Sequence, residues 1–257
     1  MGDSSELRPP SPVRCLPNCH SLSGLLASPS PMLALLEELL GLSDPTGLAW
    51  RLVVAYLLGS VPFGLMMCRV FKGVDLREHG SGNIGATNAM RVLGKPLGLL
   101  AFLCDLGKGY VPAAFLGAGD PQWAVACGAA AVCGHVWPIY LRFKGGKAVA
   151  TGCGVLLAIL PMVVAYAGLA WLLTLLIFGY VSLSSIVMGL AFPIAAWQLG
   201  GDPALILGSS GLTLLILVRH RSNIGRLLAG TESRTQLFKK RSSSHDTPSH
   251  GESGGNE

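Results

Sequence analysis

The sequence predicts an all-α integral membrane protein with about seven transmembrane helices, its N-terminus outside and its C-terminus in the cytoplasm. Of the 257 residues, 51% are hydrophobic and only 13% are charged, whereas a soluble domain carries about a quarter charged residues. The apolar residues form separate runs, the longest of which are long enough for membrane helices. The basic residues concentrate in alternate connections between these runs, which is typical of cytoplasmic loops.

The apolar runs divide a predicted polytopic region, residues 48–232, into spans. Their approximate bounds are 48–71, 96–117, 122–141, 148–164, 165–181, 184–199 and 204–218. Several are shorter than the ~20 residues that a helix needs to cross a bilayer, so five spans are the alternative.

Charge placement favours seven spans and gives their orientation. Basic residues follow the first, third and last spans, and include Lys72, Arg77, Arg91, Lys95, Arg142, Lys144, Lys147, Arg219, Arg221 and Arg226. The turns at 118–121 and 200–203 contain only the acids Asp120 and Asp202. Because basic loops remain in the cytoplasm, all three basic segments are predicted to lie on that side. The net charge of +5 therefore reflects membrane orientation, and no nucleic-acid partner is expected.

Both ends of the chain differ in composition from the region between them. Residues 1–47 are predicted to be disordered, or to be an extension that precedes a translation start near Met32, and 33–42 is compatible with a short interfacial helix. Residues 233–257 are predicted to form a disordered cytoplasmic tail. Cys15, Cys19 and His20 resemble half of a metal site, but no second pair has ligand spacing, so no metal is expected.

A glycine-rich polar loop joins the first two spans. Its candidate phosphate-binding and catalytic residues are Ser81, Gly82, Asn83, Gly85, Thr87, Asn88 and Arg91. Glycines leave backbone N–H groups open to close approach, and hydroxyl, amide and cationic side chains add further donors. A flexible connecting loop is the competing interpretation.

A second cluster follows the third span. It contains His135, Lys144, Gly145, Gly146, Lys147 and Thr151. Two glycines before a helix-like run could present N–H groups to an anion at the helix N-terminus. Ala148 stands where a Walker A loop needs Ser or Thr, so a nucleotide triphosphatase is not indicated. An ordinary basic cytoplasmic turn would explain the lysines alone.

A third cluster follows the last span and contains His220, Asn223, Arg226 and Glu232. A stop-transfer run would explain its arginines, but not His220 and Asn223 between them. Asp105 and Lys108 lie within the second span. They are either a neutralising ion pair or functional residues, because ionisable groups inside spans usually have a function.

The chemistry that these residues permit is restricted. The chain has no Gly-x-Ser-x-Gly elbow and no His-x4-Asp motif. Cations, hydroxyls, amides and backbone N–H groups bind phosphates and stabilise developing negative charge. The sequence therefore predicts a reaction of an already activated donor, without cofactor or metal. A transporter for an anionic metabolite is the competing class, but it predicts polar residues on both membrane sides.

The clusters resemble the motifs of the bacterial acyl-phosphate:glycerol-3-phosphate acyltransferase family, the PlsY type. The matching segments are Gly59–Gly64, Gly80–Asn88, Asp105 with Lys108-Gly109, Gly134-His135, Phe143–Lys147, and Arg219–Glu232. The resemblance extends from about Val53 to Glu232. One departure is Ala148, where the family usually has glycine.

The resemblance implies a function in phospholipid biosynthesis. A fatty acyl group is transferred from acyl phosphate to the 1-hydroxyl of sn-glycerol 3-phosphate, giving lysophosphatidic acid and phosphate. The expected setting is the bacterial cytoplasmic membrane, with the active site on the cytoplasmic face. Membrane lipid and a soluble phosphate acyltransferase that supplies the donor are the expected partners.

The resemblance also assigns roles to residues. The expected catalytic residues are Ser81, Lys147, His220 and Asn223. The expected phosphate-binding residues are Gly82, Asn83, Gly85, Thr87, Asn88, Arg91, Lys108, Lys144, Gly145, Gly146, Thr151 and Arg226. Supporting roles fall to Asp105, His135 and Glu232. Either a donor phosphate oxygen or His220 takes the hydroxyl proton, and the acyl chain is expected beside Gly59 and Gly64.

Overall fold

A computed structural model of the chain describes residues 48–117 and 120–235. The predicted N-terminal extension, the candidate interfacial helix, the Cys15–Cys19 pair and the tail beyond residue 235 lie outside the described residues.

The described residues form α-helices joined by short connections. The helices are α1 (Leu48–Ser60), α2 (Phe63–Lys72), α3 (Ala86–Leu93), α4 (Lys95–Val111), α5 (Pro121–Val136), α6 (Val149–Ile159), α7 (Pro161–Phe178), α8 (Val181–Gln198), α9 (Pro203–Arg219) and α10 (Arg221–Leu228). Short 3-10 turns cover Leu76–Glu78 and Ile139–Leu141, and a π-helical turn covers Pro112–Leu116.

Five helical segments are long and apolar enough to cross a membrane. They are Ala49–Lys72, Lys95–Leu116, Pro121–Leu141, Pro161–Phe178 and Val181–Gln198. The pair α9–α10, bent by 58°, makes a sixth if it is counted as one span. The predicted all-α membrane architecture is therefore confirmed, and the exact number of seven spans is not.

One difference, besides the bent α9–α10 pair, lies in the predicted span 148–164. Helix α6 ends at Ile159, and Pro161 begins α7. Proline is favoured in the first turn of a helix because its missing N–H has no helical partner there. At 1.5 Å per residue α6 is about 16 Å long, roughly half the ~30 Å hydrocarbon thickness.

Proline and aspartate begin the helices at the end of the bundle that carries few charges. Asp120 accepts a 2.7 Å hydrogen bond from Gln122 N at the start of α5, and Asp202 accepts one of 2.8 Å from Ala204 N at the start of α9. These N-caps satisfy N–H groups that have no acceptor inside the helix. The two isolated acids of the sequence thus have a structural role.

Glycines allow two central helices to approach each other closely. A side chain at Gly109 on α4 would overlap the Thr151 backbone of α6, and one at Gly154 on α6 would overlap the Leu106 backbone of α4. Small residues permit such backbone contact between membrane helices. The contact places Lys108 beside the first turn of α6.

Long-range contacts bring the polar connections together at one end of the bundle. Arg219 at the end of α9 donates to the backbone of Gly145 and Gly146 in the 137–148 connection. The segment after α10 returns to the α7–α8 turn, where Thr235 N donates to Gly179 O at 2.9 Å. We call this end the site end.

Candidate active site

The Gly145-Gly146 turn is fixed by groups on two helices. Gly146 N donates to His135 O of α5 at 3.1 Å. Arg219 donates from Nη2 to Gly145 O at 2.9 Å and from Nε to Gly146 O at 3.0 Å. The N–H of Gly146, which the sequence suggested for an anion, is thus engaged inside the protein. Both glycines shape the turn that precedes α6.

Glycine is needed here because His135 leaves no space for a side chain. A Cβ atom on Gly145 would lie 2.5 Å from both Pro138 Cδ and Val136 O. A Cβ atom on Gly146 would lie 2.8 Å from Cε1 of the His135 ring. Ordinary van der Waals contact begins at about 3.4 Å, so the turn and the imidazole fit together only without side chains.

The backbone conformation of Ala148 explains why the family usually has glycine at this position. Its φ is +62°, in the left-handed region, and its side chain is buried. A residue with a Cβ atom is less stable in this conformation by about 1–2 kcal/mol, which accounts for the usual glycine. The conformation turns the chain into α6, whose first N–H groups have no helical acceptor.

Lys147 is the first member of a hydrogen-bond network at the site end. Its Nζ donates to Asn223 Oδ1 on α10. Asn223 Nδ2 donates to Glu232 Oε1 at 2.7 Å, and Arg226 Nε donates to Glu232 Oε2 at 2.6 Å. The predicted residues Lys147, Asn223, Arg226 and Glu232 are therefore brought together from two connections and a helix.

The surroundings of Lys147 make its ammonium group unusually easy to deprotonate. Burial lowers the pKa of Lys147 to about 8. The Glu232 carboxylate opposes this shift, while the positive charges of Arg226, Arg219 and Arg91 add to it. The fold thus concentrates positive charge that a bound anion would neutralise.

Glu232 is the carboxylate of this network. Burial alone would raise its pKa, but interactions of the carboxylate with the side chains of Asn223, Ser182 and Arg226 outweigh burial and lower the pKa below its usual range. Glu232 is therefore ionised at neutral pH and balances part of the surrounding positive charge.

His220 lies between α9 and α10 and is only 3% exposed. Its Nδ1 is 2.8 Å from Ile216 O. Since a carbonyl can only accept, Nδ1 carries the hydrogen, and in the neutral ring Nε2 keeps its lone pair. His220 is thus oriented as a hydrogen-bond acceptor.

Asn88 organises the glycine-rich loop. Its Nδ2 lies within 3.2 Å of the carbonyl oxygens of Leu76, His79 and Asn83, and its Oδ1 accepts from Ser81 N at 3.0 Å. The side chain is 2% exposed. The amide of Asn88 is therefore occupied by the loop backbone, which gives it a structural role beside the binding role predicted from sequence.

The other predicted loop residues differ in exposure. Ser81, Gly82 and Thr87 are exposed, and Asn83 and Gly85 are half-buried. Within 48–117 and 120–235, no hydrogen bond joins their side chains to the Lys147 network. Arg91, at the end of α3, is the link, since its charge acts on Lys147. Lys144 is exposed next to the Gly145-Gly146 turn.

Lys108 and Asp105 form a buried ion pair on α4. Lys108 Nζ is 2.8 Å from Asp105 Oδ1 and donates to Val61 O at 2.8 Å, where the chain breaks between α1 and α2. Their side chains are 4% and 3% exposed. The sequence did not decide whether this pair is structural or functional. Its hydrogen bond to Val61 O gives it a structural role, because it joins α4 to the first span.

Two further predicted residues, one on α5 and one on α6, are buried. His135 is 5% exposed and Thr151 is fully buried. In the described part of the chain, His135 Nδ1 and Thr151 Oγ1 have no hydrogen-bond partner. Buried polar atoms of this kind usually bind ordered water or a ligand.

Sequence reasoning did not select Arg219 as a site residue. Its two hydrogen bonds to Gly145 and Gly146 join the second and third clusters. The available signal was its position next to His220, which did not distinguish it from a stop-transfer arginine.

Fold and site together define a polytopic helical membrane protein with a cation-rich polar site at one end of its bundle. The sequence model of the glycerol-3-phosphate acyltransferase family matches residues 49–230. The chain belongs to this family, and specifically to its PlsY type, as the resemblance predicted.

Relatives and solved structures agree with this assignment. Glycerol-3-phosphate acyltransferases of Bacillus cytotoxicus and Pseudomonas syringae pv. tomato are 43% and 46% identical to the chain, over 74% and 71% of its length and 96% of each relative. A crystal structure of PlsY, an integral membrane glycerol 3-phosphate acyltransferase, in its glycerol 3-phosphate form has a TM-score of 0.70 and 41% identity, covering 73% of this chain and 96% of PlsY. Its lysophosphatidic acid form has a TM-score of 0.68 and 40% identity, covering 72% and 93%.

Proposed function

We propose that the protein transfers a fatty acyl group from acyl phosphate to the 1-hydroxyl of sn-glycerol 3-phosphate. The products are lysophosphatidic acid and inorganic phosphate. The observation that carries the proposal is the junction of the Gly145-Gly146-Lys147 turn with Asn223, Arg226 and Glu232, in a chain of the glycerol-3-phosphate acyltransferase family. PlsY, the related solved protein, occurs in glycerol 3-phosphate and lysophosphatidic acid forms.

Charge supports a phosphate ligand at this site. The positive charges of Arg226, Arg219 and Arg91 act electrostatically on Lys147, and Glu232 is a nearby carboxylate. The first N–H groups of α6 add the positive end of a helix dipole. A phosphate dianion would neutralise the excess charge and accept several of these hydrogen bonds.

We assign the acceptor phosphate to Lys147, Arg91, Arg226 and the first turn of α6. The segment Ser81–Thr87, which runs from the loop into the first turn of α3 and is shaped by Asn88, takes the phosphate of the donor, assisted by Lys144 and Lys108. Positioning of both substrates supplies much of the rate enhancement, because oriented reactants can gain roughly 7–11 kcal/mol over a bimolecular encounter.

The chemistry is a direct displacement at the acyl carbon. The 1-hydroxyl oxygen forms the new ester bond as the carbon–oxygen bond to phosphate breaks, and the phosphate leaves with the bonding electrons. The hydroxyl proton passes to His220 Nε2, which the Ile216 hydrogen bond leaves as an acceptor. A phosphate oxygen of the donor is the second route. A His220→Gln variant that keeps most of the wild-type kcat would favour the phosphate route.

The acyl chain requires an apolar groove. Gly59 and Gly64 do not provide it, because Gly59 packs against the Ala131 backbone and Gly64 against Ile84 O. A nearby groove of about 400 Å³ is lined by Val61, Pro62, Leu65, Met66, Arg69, Tyr140 and Leu141. Since Val61 O binds Lys108, the groove begins beside a cation suited to the donor head group. We therefore propose it as the acyl-chain groove.

The membrane orientation follows from the basic residues. We propose seven crossings in the bacterial cytoplasmic membrane, with α6 as a short crossing, the site end facing the cytoplasm and the N-terminus outside. The basic connections meet at the site end, while the turns capped by Asp120 and Asp202 are at the opposite end. Cysteine-accessibility labelling of these turns in intact cells tests the orientation.

Acyl transfer by the purified protein tests the function. The assay supplies metal-free glycerol 3-phosphate with palmitoyl phosphate or, in parallel, palmitoyl-CoA, for the wild type and the Ser81→Ala and Lys147→Ala variants. We expect lysophosphatidic acid from acyl phosphate alone and a large loss in both variants. Product from the thioester would refute the donor assignment. Absence of product from either donor, in folded protein, would favour transport of an anionic metabolite.

A further inference from the structure

The segment that follows α10 carries Glu232 and returns toward another turn of the bundle. Residues 231–235, here called the strap, follow α10 and return to the α7–α8 turn. At one end Thr231 N donates to Arg226 O at 2.8 Å. At the other end Thr235 N donates to Gly179 O at 2.9 Å. The strap is therefore held at both ends by backbone hydrogen bonds.

A side-chain clamp strengthens the second attachment. Arg234 Nε donates to Tyr180 Oη at 3.0 Å, and its guanidinium carbon lies 5.2 Å from the centre of the Tyr180 ring. Gly179, with φ +76°, ends α7 and places Tyr180 at the turn. Stacking on the aromatic face and the hydrogen bond together fix one orientation of the arginine.

Glu232 lies between the two attachments. Its carboxylate accepts hydrogen bonds from Asn223 Nδ2 and Arg226 Nε. Asn223 Oδ1 in turn accepts from Lys147 Nζ. Two hydrogen bonds thus connect the strap to the ammonium group of Lys147.

We propose that Tyr180 and Arg234 are positioning residues, which hold Glu232 against Asn223 and thereby orient Lys147 toward the acceptor phosphate. The proposal rests on the proposed function of the site. Tyr180 and Arg234 touch no reacting group, so they act through Glu232. Release of the clamp lets the strap move, and Asn223 then loses the partner that fixes the direction of its amide. Lys147 consequently spends less time in the orientation that binds phosphate.

The proposal predicts an effect on glycerol 3-phosphate binding more than on turnover. We expect Tyr180→Phe, which keeps the ring and removes the hydroxyl, and Arg234→Gln to raise KM for glycerol 3-phosphate about three- to tenfold, the range that one hydrogen bond of ordinary strength supports. The kcat should change less than about twofold. Arg234→Lys, which can still donate to Tyr180, should restore part of the affinity. Arg221→Gln, the loss of another exposed arginine, is the matched control.

A double-mutant cycle separates positioning from general stabilisation. If the clamp acts through Glu232, Arg234→Gln adds little to the KM of Glu232→Gln, because the carboxylate it positions is gone. The proposal would be overturned if KM were unchanged in Tyr180→Phe or if a lowered Tm were the sole consequence of the substitutions. It would also be overturned if the KM of the double variant rose by the product of the increases in Arg234→Gln and Glu232→Gln.

A measurement made without substrate distinguishes failure of the positioning proposal from failure of the proposed function. Reductive 13C-methylation gives Lys147 an NMR signal that the Lys147→Arg variant identifies. We expect this signal to shift in Tyr180→Phe and to stay in place in Arg221→Gln. If the wild type lacks acyltransferase activity but the shift occurs, the proposed function fails and the coupling through the strap holds. If activity is present and the signal does not move, the coupling is refuted.

Discussion

Gly146→Ala is the substitution whose effect the geometry defines most closely. A methyl group at this position would lie 2.8 Å from Cε1 of His135 and closer still to Nε2. The His135 ring cannot move aside easily, since it is 5% exposed. The turn must then move instead, and the turn carries Lys147.

The size of the displacement gives the size of the effect. To restore a contact of 3.4 Å or more, the methyl group and the ring must separate by roughly 1 Å, because overpacking in a dense interior is relieved by backbone shifts. A misplacement of about 1 Å can lower catalysis about 100-fold, which is a loss of about 2.7 kcal/mol of transition-state stabilisation. We therefore expect kcat/KM of Gly146→Ala to fall by about two orders of magnitude.

The assay is steady-state acyl transfer in detergent, with Tm as a measure of folding. Gly168→Ala on α7 is the matched control, since a methyl group there meets no atom within 4 Å. It should leave kcat/KM unchanged. A folded Gly146→Ala variant with kcat/KM within threefold of the wild type would refute the view that the turn and His135 position Lys147.

Three further predictions concern the charges and the loop. Because the pKa of Lys147 is lowered to about 8, its ammonium form is lost as pH rises, so kcat/KM should fall above about pH 8 and stay level to pH 9 in Lys147→Arg. Asp105→Asn should leave the buried Lys108 charge unpaired and destabilise the protein by about 3–5 kcal/mol, whereas Asp105→Asn with Lys108→Met should recover Tm in thermal unfolding but not activity. Asn88→Ala should release the loop carbonyls, lower the free energy of unfolding by about 1–3 kcal/mol, and speed amide hydrogen exchange at residues 79–85.

Hydropathy was sufficient to locate the apolar helices but not all of their ends, and it did not predict the short polar helices Ala86–Leu93 and Arg221–Leu228, which lie in segments predicted to be loops. Each predicted apolar segment coincides with a helix or helix pair, since burial in lipid requires both apolar side chains and internal backbone hydrogen bonds. The segment 148–164 was bounded wrongly because α6 and α7 are both apolar and are separated by a single residue, Leu160. Apolar composition alone cannot mark a break between two adjacent helices.

Residue type predicted much of the site, but not which of its residues form hydrogen bonds with one another. Lys147 and Asn223 were selected from separate motifs, and the structure joins them. The contact of Arg219 with Gly145, 74 positions earlier, depends on how α9 packs in the bundle, which no local pattern encodes. Asn88 was selected from the sequence as a phosphate-binding residue, but its amide binds loop carbonyls. The sequence cannot distinguish these two roles of an asparagine amide.

The arrangement of charge explains why a phosphate ester suits the site better than a neutral alcohol. Burial lowers the pKa of Lys147, the repulsion of Arg226, Arg219 and Arg91 adds to this shift, and Glu232 opposes it. The helices hold these cations together against their mutual repulsion. A dianion that enters the site removes this repulsion and replaces water around Lys147 with charge-assisted hydrogen bonds, so the free energy gained depends on the phosphate and little on the carbon chain attached to it. Recognition of the acceptor is therefore expected to follow the charge of its head group, while the hydroxyl to be acylated is selected by its distance from His220 Nε2.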